Sequence, residues 1–259
     1  MLMPRIIPCL LVKDKGLIKT VQFKDPKYVG DPINAVKIFN EKEVDELIVL
    51  DVGATANNNE PDYKMIENLA NECRMPLCYG GGITTADQAQ KILSLGVEKV
   101  ALSSSAVNDP GLIYEIAART GSQSVVIVLD VKKKVFGGFD IYTHNGRNKV
   151  KIDLLEFVRN IQKMGAGEIV INSIDNDGRM RGYDFNLINK VKPVIEVPMT
   201  ILGGAGSVDD IRQAVQNYGI IGCAAGSLFV FKGKYRAVLI SYVSHTEKDD
   251  IFNSVKLPS

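Results

Sequence analysis

Gly80-Gly81-Gly82-Ile83-Thr84 follows one apolar run, and Gly203-Gly204-Ala205-Gly206-Ser207 follows another 123 residues later. Beyond the first stretch, the next apolar run ends at Ser103-Ser104. Beyond the second, it ends at Gly226-Ser227, again offset by 123 residues. The second half of the chain thus repeats the first. A glycine-rich loop between a strand and a helix lets backbone N–H groups approach an oxyanion. A single Gly-Gly pair reads as a turn, but two in matched contexts predict a substrate with a phosphate-like group at each end.

Outward from these loops the chain alternates between strands and helices. Expected strands are 5–12, 46–52, 76–79, 99–102, 124–131, 168–174, 199–202 and 221–225. Expected helices include one opened by Asp31-Pro32, with Asp as N-cap and Pro in the first turn, one over 61–73, one capped by Thr84 and running to Leu95, and one opened by Asp109-Pro110. Further helices are expected at 153–164, 185–191, 208–218 and about 234–244. Residues 13–30 read as a Lys- and Gly-rich loop, and 132–150 as a hairpin excursion. Near-continuous apolar runs such as ELIVLDV (46–52) suit strands buried on both faces of a parallel sheet. Eight βα units with a half-chain repeat predict a (β/α)8 TIM barrel, a single domain over 1–259 made of half-barrels at about 1–122 and 123–245. An open doubly wound sheet gives no reason for two equal halves. The glycine loops and Asp51 then fall at the C-terminal mouth, where such barrels carry their sites.

Composition narrows the function. The 259 residues carry a net charge of +1 and 46% hydrophobic residues, which gives no global signal for nucleic acid. Cys9, Cys73, Cys78 and Cys223 have no CxxC spacing and read as free thiols; His144 and His245 have no companion ligands, so no metal or cofactor is expected. No apolar stretch approaches the roughly 20 residues that cross a bilayer, and no signal peptide is evident. The expectation is a cytoplasmic protein.

The repeat also aligns Ile7–Lys13 with Val126–Lys132, at an offset of 119. Asp130 then sits at the mouth, and its mate is Leu11. Paired carboxylates could serve as acid and base at two ends of a substrate; here one is leucine, which carries no proton. Asp130 reads as catalytic or as a structural acceptor of loop N–H groups. Asp177-Gly178 reads as site or turn. At the opposite end Arg5, Glu46, Lys99 and Glu168 begin strands, and could form a neutral ring closing the barrel floor.

Together, RIIPCL (5–10), GDP (30–32), DELIVLD (45–51), YGGGI (79–83), LGVEKV (95–100), GSQSVV (121–126), GAGEI (165–169), SIDNDG (173–178), GYD (182–184) and GGAG (203–206) resemble the cyclase subunit of imidazole glycerol phosphate synthase over essentially the whole chain. The resemblance implies a glutaminase subunit at the barrel floor. It implies ammonia passing a charged gate at Arg5, Glu46, Lys99 and Glu168, and a ribulosyl aminoimidazole carboxamide nucleotide cleaved and cyclised at the mouth. It places phosphate contacts at Gly82, Ser104, Gly203, Gly204, Gly226 and Ser227, a substrate-proximal lysine at Lys19, and the second catalytic aspartate at Asp130.

The departures matter as much. The family's first catalytic aspartate falls at Leu11, a substrate-contacting asparagine at Ser103, a threonine at Asn172 and a serine at Leu202. This pattern resembles the branch found with surface-polysaccharide assembly, where a glutaminase–barrel pair supplies nitrogen to build an acetamidino sugar. The alternatives are an ordinary histidine-pathway cyclase relying on Asp130, and a non-catalytic activator of a glutaminase.

Overall fold

A computed structural model describes residues 3–254. Eight parallel strands close on themselves: β1 (Arg5–Lys13), β2 (Leu47–Asp51), β3 (Leu77–Gly80), β4 (Lys99–Leu102), β5 (Val125–Lys133), β6 (Glu168–Ser173), β7 (Met199–Leu202) and β8 (Gly222–Ala225). Each pairs with its successor, and β8 returns to β1 through the register Arg5↔Gly222 to Pro8↔Ala225. The (β/α)8 barrel expected from the repeat is therefore present.

Two layers of core follow from strand alternation. Side chains facing the helices, such as Ile6, Leu10, Leu47 and Ile127, join a large outer cluster. Those facing the axis form a separate inner column of Ile7, Cys9, Ile48, Cys78, Ala101, Val126, Val128, Val170, Leu202 and Ala224. Leu11 shares the parity of Ile7 and Cys9, and Asp130 that of Val126 and Val128. Both are thus carried inward at the rim.

Local sequence sets the helix starts. Asp31 caps Pro32–Glu41, accepting from Asn34 N at 2.8 Å. Asp62 caps Tyr63–Glu72, Asp153 caps Leu154–Lys163 and Ser207 caps Val208–Tyr218. The helix expected to begin at Thr84 is capped by Thr85 instead, in a box with Gln88, and runs from Ala86 to Ser94.

Two expectations are corrected. Residues 13–30 are not a plain loop: Gly16–Val21 and Lys24–Gly30 form an antiparallel hairpin on the end of β1, with Leu11 opposite Ile18. Its turn runs through Gln22 and Phe23 at φ 53° and 63°, without the glycine that usually marks such a turn. Residues 234–244 are not helical. Phe231–Lys232 and Ala237–Val238 pair as a short hairpin, and the last helix is His245–Asn253, opened by a Ser244–Glu247 capping box.

The expected excursion after β5 is an antiparallel extension, Phe139–Thr143, which pairs Tyr142 with Asp130 and then continues to Asn148–Lys149. Strands β1 and β5 therefore each extend into a hairpin at the same end of the barrel. Among the described residues no helix is long and apolar enough to cross a membrane.

Candidate active site at the barrel mouth

The C-terminal ends of the strands enclose a cavity of about 480 Å³. Lys19, Asp51, Gly82, Ser103, Ser104, Asp130, Asn172, Asp177 and Gly226 line it, together with Leu11. Gly203, Gly204 and Ser227 do not border this cavity. The two glycine loops are inequivalent in what they face. Gly204 stands at φ 116°, where a Cβ would lie 2.1 Å from the carbonyl oxygen of Gly182, and Gly182 N donates to Gly204 O at 2.9 Å. The loop after β6 thus seals down on the second glycine loop. Its repeat mate Gly81, at φ 125°, is pressed as closely against the backbone of Asp51, yet Gly81 and Gly82 both border the cavity.

Asp130 is held from one side. Asn172, on the neighbouring strand β6 in register with it, donates through Nδ2 to its Oδ1 at 2.8 Å. Burial pushes the Asp130 carboxyl up to about 7; the Asn172 bond opposes this, while the charge of Asp177 adds to it. Strand β1 lies four places from β5 around the ring, so Leu11 faces Asp130 across the axis, and both border the cavity. Among the described residues Leu11 holds that position, and the other carboxylates bordering the cavity are Asp51, Glu60 and Asp177.

Lys19 is buried. Its ammonium donates to Cys9 O at 2.9 Å and lies against Gly226, where a Cβ would come within 2.0 Å of Nζ. Burial lowers its proton affinity, which the nearby Cys9 and Asp177 partly restore. Asp177 accepts from Thr20 Oγ1 at 3.1 Å, and its carbonyl accepts from Gln22 N at 3.0 Å, so it ties the first hairpin to the loop after β6. Burial raises its pKa, with Lys19 acting against the rise. Asp51 accepts from Gly53 N and Ala54 N at 2.9 and 3.0 Å, which makes it the cap of the short helix Val52–Ala56 as well as a wall of the cavity. Ser104 Oγ accepts from His144 N at 3.1 Å.

The turn of the second hairpin was not anticipated as a site element. Asn145 Nδ2 donates to Val52 O at 2.9 Å, and His144, Asn145 and Arg147 all border the cavity. The dipeptide Asn145-Gly146 signalled the turn, but nothing in the sequence gave its reach across the mouth.

At the opposite end the four strand-initial charges converge. Arg5 contacts Glu46 and also Glu168, the latter at 2.8 Å; Lys99 binds both Glu46 and Glu168 at 2.8 Å. Each cation touches each acid. Thr200 Oγ1 adds a hydrogen bond to Glu168 at 2.6 Å. Burial alone would raise the Glu168 carboxyl, but Arg5 and Lys99 outweigh it and bring it down to about 2. Burial likewise works against the charge on Lys99, and the two glutamates overcome it. The thiols of Cys9 and Cys78 lie in the inner column above this ring, and all four cysteines are free. Among the described residues no cluster of three potential metal ligands occurs.

A closed barrel with an ionisable mouth and a charged floor joined by an apolar column defines a (β/α)8 protein. The chain belongs to the histidine biosynthesis protein family, whose model matches residues 5–236, and within it to the HisF-type subunits of imidazole glycerol phosphate synthase. A Vibrio vulnificus protein provisionally named imidazole glycerol phosphate synthase subunit hisF3 is 59% identical over 249 residues, 96% of each chain. One from Pseudomonas aeruginosa, provisionally named subunit hisF2, is 52% identical over 238 residues, 92% of this chain and 95% of its own. The imidazole glycerol phosphate synthase subunit HisF of Streptococcus mutans is 38% identical over 229 residues, 88% and 91% of the two chains.

Proposed function

We propose that this chain is the synthase half of a glutaminase–barrel pair, and that it uses delivered ammonia at the mouth on a phosphorylated or nucleotide-linked sugar, to aminate or amidinate it for surface-polysaccharide assembly. The observation that carries this reading is Leu11 opposite Asp130. A reaction needing proton transfer at both ends of one substrate lacks its second group, whereas capture of ammonia by one electrophilic carbon needs one acid–base group.

In this reading a glutaminase docks at the floor. The ring of Arg5, Glu46, Lys99 and Glu168 is the gate. The column from Ile7 to Leu202 carries neutral ammonia, which crosses apolar surroundings that would repel ammonium. Ammonia adding to the carbonyl or amide carbon pushes the π electrons onto oxygen and becomes cationic; ionised Asp130 takes the proton it sheds and returns it to that oxygen, which leaves as water, while Asn172 keeps the carboxylate aimed. Gly82, Ser103 and Ser104 grip an anionic group on one side. Lys19 with Gly226 offers a cation on the other, backed by Gly203, Gly204 and Ser227. Asp51 and Asp177 hold the loops that shape the pocket, with Asp177 also positioned to assist proton transfer.

A second reading, the cyclase of histidine biosynthesis, draws on the names of the relatives. A third, pure activation of a glutaminase, draws on the same missing acid. Incubation with 15N-ammonium separates them: label entering a nucleotide sugar supports the proposal, whereas label entering imidazole glycerol phosphate at the rate of an ordinary synthase overturns it. Label in neither, with stimulation of a glutaminase, favours the third.

A further inference from the structure

The hairpin that extends β5 ends in Lys132-Lys133-Lys134-Val135-Phe136-Gly137-Gly138. Val135 is 92% exposed and Phe136 is 100% exposed. The stem is fixed by the register Asp130↔Tyr142 to Lys133↔Phe139, and the turn is closed by Lys134 N donating to Gly138 O at 2.9 Å. Two apolar side chains therefore stand in water on a rigid support, at no gain to the fold.

The same end of the barrel carries two companions. The hairpin after β8 shows Tyr235, 91% exposed, between Lys234 and Arg236; the hairpin after β1 shows Tyr28, 67% exposed, beside Lys27. Residues 13–30, 132–149 and 231–238 together hold 13 of the chain's 31 Lys and Arg but 3 of its 30 Asp and Glu. Lys19 is buried and Lys134 and Lys149 pair with Asp140, which leaves ten cations on these excursions to face outward from a nearly neutral protein. The loop after β2 offsets part of this with Asp51, Glu60 and Asp62, and Lys15 lies 3.4 Å from Asp62.

We propose that these excursions seat the mouth of the barrel on an anionic lipid bilayer, with Phe136 and Val135 entering the headgroup region. Lysine is depleted at protein–protein interfaces. Lysine beside an exposed aromatic suits an anionic membrane surface, where the ring sits at headgroup depth and the ammonium meets phosphate. Lys132 and Lys133 form no ion pair among the described residues, and so remain available. The seat is at the end opposite the Arg5 ring and leaves the floor free.

The chain has no tryptophan, so Phe136→Trp is a single reporter of insertion. With phosphatidylglycerol-containing vesicles its emission shifts to the blue and is quenched by brominated lipid; with phosphatidylcholine alone it does not. Lys132→Gln with Lys133→Gln weakens partitioning by roughly fivefold per lysine. Val135→Ser with Phe136→Ser weakens it by about tenfold, with circular dichroism unchanged. Absence of co-sedimentation with anionic vesicles at 0.1 M salt overturns the proposal. So does binding without a change in emission, or capture of an acidic protein on this face without affinity for vesicles.

Discussion

Asn172 Nδ2 lies 2.8 Å from Asp130 Oδ1, joining adjacent strands at the rim of the barrel. This bond is the brake on a carboxyl that burial drives toward its protonated form. Asn172→Leu removes the donor and raises the Asp130 pKa above its value of about 7. Carboxyl 13C NMR titration of the variant reads this directly; an unchanged titration would mean that the bond does not form in solution.

Proton uptake by Asp130 predicts a rate that rises with pH through about 7 and then levels. Asp130→Asn abolishes that limb and lowers turnover by roughly 10²- to 10⁴-fold. Steady-state rates from pH 5.5 to 9 test both. A limb that survives in Asp130→Asn would assign the proton transfer elsewhere, with Asp177 the next candidate.

The floor ring predicts a stability effect of definite sign. Glu168 is held at about 2, below its ordinary 4.5. The folded state therefore binds that proton more weakly than the unfolded chain. The stabilisation is complete above pH 4.5 and is lost as pH falls toward 2, by about 3 kcal/mol at roughly 1.36 kcal/mol per unit. Glu168→Ala removes this acid dependence and leaves Arg5 and Lys99 sharing Glu46, at a cost of about 3–5 kcal/mol. Urea unfolding at pH 3.5 and pH 7 for both proteins measures it.

Gly204 is constrained twice, by φ 116° and by the Gly182 carbonyl. Gly204→Ala is expected to destabilise the fold by roughly 1–3 kcal/mol, with release of the loop after β6 visible in hydrogen exchange. A neutral result would show that the loop does not rest there.

Much of this was legible in the residues. Asp31-Pro32 marks a helix start and the run 99–102 marks a strand to the residue. These signals are local or periodic. The hairpin over 16–30 was not legible, because Gln22 and Phe23 turn the chain at positive φ without glycine and the strands are rich in lysine. Apolar spacing over 234–244 mimics a helix, whereas the helix starts after it, capped by Ser244 with Glu247 three residues on. The resting of the Gly182 carbonyl on Gly204 is a tertiary contact that no motif encodes.

Asp130 facing Leu11 does not run two-ended acid–base chemistry. Leu11→Asp restores the missing group, and the direct measurement is the rate of imidazole glycerol phosphate formation from ammonium and the ribulosyl aminoimidazole carboxamide nucleotide. The natural chain is expected to show no turnover above background, and Leu11→Asp a measurable rate that disappears when Asp130→Asn is added. Full cyclase turnover by the natural chain, with Leu11→Asp changing nothing, would contradict it.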